Sequence, residues 1–80
     1  MKIIITPRHI AHGRRDDPHY CPVGLAVMET SGKFPRISGE TVSFDGKREK
    51  FLPSPVKRFI EQFDAGEKVE GIAFELEITK

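Results

Sequence analysis

The strongest pattern of apolar and polar positions lies in residues 54–66. Val56, Phe59, Ile60 and Phe63 fall at i, i+3, i+4 and i+7, a spacing that puts four apolar side chains on one face of a helix. Lys57, Arg58, Glu61, Gln62 and Asp64 then cover the opposite face. Ser54-Pro55 precedes the run and Gly66 follows it. Proline suits the first helical turn because the amide hydrogen it lacks has no partner there, and glycine readily takes the left-handed conformation that ends a helix. The same bracket recurs from Thr6-Pro7 to Gly13 and from Cys21-Pro22 to Gly32, so the pattern predicts three helices. Beyond the last bracket the period changes: Ile72, Phe74, Leu76 and Ile78 alternate with Ala73, Glu75 and Glu77, as in a strand with one packed and one wet side.

Lys2-Ile3-Ile4-Ile5 is a β-branched run long enough for one strand. Pro22-Val23-Gly24-Leu25-Ala26-Val27-Met28 is apolar all round, the mark of a helix covered on most sides, and Gly24 would let another backbone approach it closely. Arg14-Arg15-Asp16-Asp17-Pro18-His19-Tyr20 reads as an exposed loop. The stretch after Gly32, with Phe34-Pro35, reads as irregular. Thr41 to Phe44 leads through Asp45-Gly46, a pair that tolerates the positive φ of a tight turn, into the charged run Lys47 to Phe51. This predicts a hairpin whose second strand lies at a sheet edge, where lysines discourage pairing with another chain. The expected fold is a single α+β domain over residues 1–80, in the order β-α-α-β-β-α-β, with the helices packed on one face of a mostly antiparallel four-stranded sheet.

Composition narrows the function. A chain of 80 residues has room for one core and buries only about 60% of the surface its unfolded form exposes, which leaves little depth for an active site. Hydrophobic residues make up 38% and charged residues 31%, far from the signature of disorder. The single cysteine cannot form an internal disulfide, and no apolar run reaches the length of a signal-peptide core or membrane span, so a cytoplasmic protein with no membrane partner is expected. The net charge of +1 is unevenly spread: residues 1–58 carry 11 Lys/Arg against 6 Asp/Glu, and residues 59–80 carry 2 against 6. Such asymmetry favours a charged partner.

Candidate chemistry is sparse. Cys21 opens a predicted helix with His19 two residues before it, a setting in which a thiol can be activated; as the head of an apolar helix it reads more simply as a small buried side chain. His9, His12, His19 and Cys21 are the right ligand types for a transition metal, but their spacing matches no zinc signature, and solvated or capping histidines are the simpler expectation. No phosphate-binding loop, cofactor motif or pair of poised carboxylates is present, so neither a cofactor nor a catalytic residue is assigned. Arg14, Arg15, Lys47, Arg48 and Lys50, on the charged loop and the charged edge strand, are the expected partner-binding residues. They would also suit nucleic acid, although a pI near 7.9 and the lack of an RNA-binding aromatic motif weigh against it.

Four segments together, Thr6-Pro7-Arg8-His9-Ile10, Cys21-Pro22-Val23-Gly24-Leu25-Ala26, Phe59-Ile60-Glu61-Gln62-Phe63-Asp64-Ala65-Gly66 and Phe74-Glu75-Leu76, resemble a group of short proteins encoded by tailed bacteriophages. That group carries a Thr-x-x-His-Ile start, a Cys-Pro-Val-Ala-Leu-Ala helix and a Phe-Ile-x-x-Phe-Asp-x-Gly helix. Gly24 departs from the usual alanine, and Pro18 stands where some members carry a second cysteine. The resemblance covers nearly the whole chain and rests mostly on core positions, so it speaks to fold more than activity. It implies a small phage-like accessory protein in the host cytoplasm: a non-enzymatic module that binds a host protein and inhibits or redirects it in host takeover or anti-defence. A nucleic-acid-binding accessory protein is the alternative, and a small-ligand, thiol or metal site around His19 and Cys21 is the third reading.

Overall fold

The computed structural model describes residues 1–44 and 48–76. Within them the chain runs β1 (Lys2–Ile5), α1 (Pro7–His12), α2 (Pro22–Ser31), β2 (Pro35–Ser38), β3 (Thr41–Phe44), β4 (Lys50–Phe51), α3 (Ser54–Asp64) and β5 (Ile72–Glu75). The fold is α+β, with the three helices where the proline–glycine brackets placed them. The expected four-stranded sheet is replaced by two antiparallel sheets, β1-β5 and β2-β3-β4. The difference arises at Pro35–Ser38, read from sequence as irregular. Pro35 and Ile37 point inward and Arg36 and Ser38 outward, and Gly39, at φ +51°, turns the chain so that Ser38 faces Thr41 in the ladder. With only one aliphatic side chain and a proline at its start, this strand carries too little alternation to announce itself.

The remaining elements follow local chemistry. The Thr6 side chain accepts a hydrogen bond from the His9 amide, while the His9 side chain accepts from the Thr6 amide, a reciprocal capping box. Cys21 caps α2, its Sγ accepting from the Gly24 amide at 3.3 Å, and Gly32 closes the helix at φ +72°. Two details differ from expectation. Gly13 ends α1 without entering the left-handed region, at φ −71°, and Pro53 rather than Ser54 is the capping residue of α3, with no side-chain cap bond.

α2 is the central helix, packed against β1, α1 and β2. Ile3, Val23, Ala26 and Val27 on its side of the core, and Val56, Phe59, Ile60, Phe63, Phe74 and Leu76 from the later elements, belong to one buried cluster. The β1-β5 register sets Ile3 opposite Phe74 and Ile5 opposite Ile72, so the alternating face enters the core while Lys2, Ile4, Ala73 and Glu75 stay exposed. Among the described residues β4 pairs with β3 alone and forms a sheet edge, as expected of the charged strand. The Asp45-Gly46 turn, Lys47, Glu77 and Ile78 lie outside the described residues. Among the described residues no helix is long and apolar enough to cross a membrane.

Candidate binding face around the Arg14–Tyr20 loop

The loop between α1 and α2 is held by hydrogen bonds along its length. The Arg14 amide donates to the Tyr20 carbonyl at 2.8 Å, and the Ile37 amide of β2 donates to the Pro18 carbonyl at 2.6 Å. Asp17 Oδ1 accepts from the amides of His19 and Tyr20, both at 2.9 Å, an Asx turn that folds the loop back on itself. The Tyr20 and His19 amides hold the Asp17 carboxyl below its ordinary range, the nearby Arg14 adding to the effect. Asp64 of α3 accepts from the Asp16 amide at 3.0 Å.

On this frame sits an exposed ladder of π systems. The His19 ring stacks on Phe34 with centroids 4.9 Å apart, Tyr20 tilts against Phe34 at 5.7 Å, and the Arg14 guanidinium lies over the Tyr20 ring at 5.7 Å. His19 Nδ1 lies 3.2 Å from the Pro35 carbonyl and donates to it, which fixes the ring. Tyr20 and Phe34 are each 45% exposed.

Beside the ladder, Arg14 and Arg15 border an open hollow of about 470 Å³ whose other walls are Ile10, Ala11, Gly13 and Phe63. Among the described residues the ion pairs are Met1–Glu75 and Arg8–Glu29, with His9 hydrogen-bonded to Glu29, so among them neither Arg14 nor Arg15 is in ion-pair contact with a carboxylate. Asp17 and Asp64 accept from loop amides instead.

The structure thus brings Arg14 and Arg15 to one hollow, while Arg48 and Lys50 stand on the β3–β4 hairpin and Lys47 lies outside the described residues. Arg48 is exposed and Lys50 half-buried. The ladder was not foreseen from sequence. Its signal was two aromatic-bearing dipeptides at loop prolines, Pro18-His19-Tyr20 and Phe34-Pro35, whose proximity depends on β2 lying against the loop.

The metal and thiol candidates have structural roles. His9 is buried; its Nδ1 accepts from the Thr6 amide at 2.9 Å and therefore lacks a proton, so Nε2 donates to Glu29 Oε2 at 2.8 Å and neither nitrogen is open to a ligand. That bond is the largest influence drawing the Glu29 carboxyl below its ordinary range; burial opposes it and Arg8 adds to it. His12 is exposed at the end of α1, bordering a separate cleft of about 260 Å³ with Arg8, Leu25 and Met28. Cys21 is 5% exposed, and burial pushes its thiol up against the opposing pull of the Gly24 and Val23 amides. That is the reverse of nucleophile activation. Among the described residues no group of three or more His, Cys, Asp or Glu side chains is placed to hold a metal.

Compared with models of known protein families, with curated proteins and with solved structures, the chain matches none.

Proposed function

We propose that this is a non-enzymatic protein-binding module, an accessory protein of the phage kind that acts in the host cytoplasm on a host protein, and that the Arg14–Tyr20 loop presents its contact face. One observation carries the reading: two arginines with no carboxylate in ion-pair contact among the described residues flank an open hollow, partly lined by apolar side chains, beside an exposed tyrosine held in place. Arginine and tyrosine dominate the energetics of protein interfaces, and a contact group ordered before binding loses less entropy on docking. The alternative of nucleic acid is less well supported. Base stacking needs open ring faces, whereas His19 covers one face of Phe34 and Arg14 one face of Tyr20.

The test compares wild type with Arg14→Glu/Arg15→Glu, and separately with Lys47→Glu/Arg48→Glu/Lys50→Glu, in capture from bacterial host lysate. The captured protein is then purified and titrated. The loop variant should weaken binding at least about tenfold with a modest salt dependence, while stability changes by no more than about 0.5 kcal/mol. Wild type that instead retains labelled DNA or RNA, with log affinity falling steeply against log salt, would overturn the reading.

A further inference from the structure

We infer that the hollow flanked by Arg14 and Arg15 is a docking site for an acidic segment of another protein, which seats one large apolar side chain against Phe63 and places carboxylates on the two arginines. The inference rests on the protein-binding reading above and adds the chemistry of the partner. The hollow has two kinds of wall. Ile10, Ala11 and Phe63 supply the apolar part of its lining, where an aromatic or branched aliphatic side chain would lose water against carbon. Among the described residues no carboxylate is in ion-pair contact with the guanidinium groups at its mouth; Asp17 receives two loop amides and Asp64 receives the Asp16 amide. An incoming carboxylate would therefore meet donors ready to form paired, charge-assisted hydrogen bonds.

Arg14 is also fixed in advance. Its guanidinium rests on Tyr20 and its amide is tied to the Tyr20 carbonyl, so ordering this side chain is largely complete before the partner arrives. A nucleic acid fits the same place poorly, since the apolar lining gives a sugar or phosphate nothing to bond. A second copy of this chain is the closer rival, because residues 59–80 are themselves acidic, with 6 Asp/Glu against 2 Lys/Arg.

The test pans a displayed library of short random peptides against the immobilised full chain. Enriched sequences should be acidic around one aromatic or branched aliphatic residue. A synthetic peptide of that sequence should lose at least about tenfold in affinity on Arg14→Glu/Arg15→Glu and on Ala11→Trp, which fills the hollow from an exposed position. Thermal melts establish that each variant is folded; should Ala11→Trp fail to fold, Ala11→Glu sets a like charge at the mouth and is expected to produce the same loss. No enrichment, enrichment of basic or uncharged sequences, or binding indifferent to these substitutions overturns the inference. Sedimentation that shows wild type self-associating, with the association lost in the arginine variant, also overturns it in favour of a contact between copies. If a captured host protein depends on Arg14 and Arg15 while the library yields no acidic sequence, only the partner chemistry falls. If capture ignores the arginines, the contact face itself is wrong.

Discussion

Replacing Gly24 by alanine tests the claim that the loop is rigid. Gly24 is the third residue of α2, and by helix propensity alone the change should stabilise by about 1 kcal/mol. The added methyl carbon would, however, stand 2.5 Å from the His19 carbonyl oxygen and 3.2 Å from its carbonyl carbon, a contact with backbone that no rotamer change relieves. The obstructing peptide is restrained on several sides: Asp17 holds the His19 and Tyr20 amides, Arg14 holds the Tyr20 carbonyl, and the His19 ring is bonded to Pro35. Overpacking of this kind costs about 1–3 kcal/mol, which matches or outweighs the propensity gain of about 1 kcal/mol and leaves a net loss of up to about 2 kcal/mol. For a domain of this size each kcal/mol lowers Tm by roughly 4–8 °C.

Urea unfolding followed by circular dichroism measures the loss, with an unchanged m value indicating an intact two-state transition. The chain offers a second reporter, because Tyr20 is its only tyrosine and it has no tryptophan. Intrinsic fluorescence therefore reports on the loop, and it should change in the Gly24→Ala variant under conditions where the dichroism remains native. A variant as stable as wild type, with unaltered tyrosine emission, would refute the reasoning: the loop would then be yielding freely, and the advantage claimed for a pre-ordered Arg14–Tyr20 face would vanish.

Three further outcomes are expected. Phe59, 4% exposed and stacked on Phe63 with centroids 6.3 Å apart, should cost about 3–5 kcal/mol on replacement by alanine; a denaturation loss under about 1 kcal/mol would remove it from the core. The Cys21 thiol should react with a disulfide reagent far more slowly in the native protein than in urea, and Cys21→Ser, which supplies a stronger capping oxygen, should keep partner binding; native reaction at the unfolded rate, titrating well below pH 8, would revive a reactive thiol. Because the Tyr20 and His19 amides depress the Asp17 carboxyl, its contribution to stability is fully present above the unfolded value of about 4 and fades as pH falls through the lower folded value; tyrosine emission should change across that acid window in wild type, and an Asp17→Ala variant whose acid profile matches wild type would show that the carboxylate does not hold the loop.

How much of this could be read in the sequence depended on the range of the interaction concerned. Helix boundaries are written locally, in the proline that tolerates the first turn and the glycine that can follow the last, and all three helices stand where those residues put them. The Val56–Phe63 stripe and the Ile72–Leu76 alternation likewise identified the faces that enter the core. Gly24 signalled a close backbone approach, and the His19 carbonyl makes it. What escaped was long-range. β2 is recognisable only once its register against β3 is known, since Ile37 and the proline at its start are all it turns to the core, and the division into two sheets follows from a pairing that no local pattern encodes. The Arg14–Tyr20–Phe34–His19 ladder depends on that strand, because the Ile37 amide and the Pro35 carbonyl fasten the loop beside Phe34. Arg14 and Arg15 were identifiable as exposed charges, but the apolar lining beside them joins α1 to a phenylalanine about fifty residues away, and only the fold brings those together.

The start of α2 links the core to the binding face. Cys21-Pro22-Val23-Gly24 reads as packing, and it is buried throughout, yet both ends of the exposed loop are seated on it. At one end the Pro22 ring occupies the space where a Cβ on Gly13 would stand, 2.5 Å from Pro22 Cδ; at the other the His19 carbonyl rests on Gly24. The five residues between Gly13 and His19 are then held between two fixed points, and the Arg14–Tyr20 hydrogen bond ties the loop across. A loop anchored in this way inherits the rigidity of the most buried helix in the molecule, which is how a domain too small for a deep pocket can still present ordered side chains. It also follows that changes at Pro22 or Gly24 should alter partner affinity without either residue touching the partner, whereas changes on the β3–β4 hairpin should not.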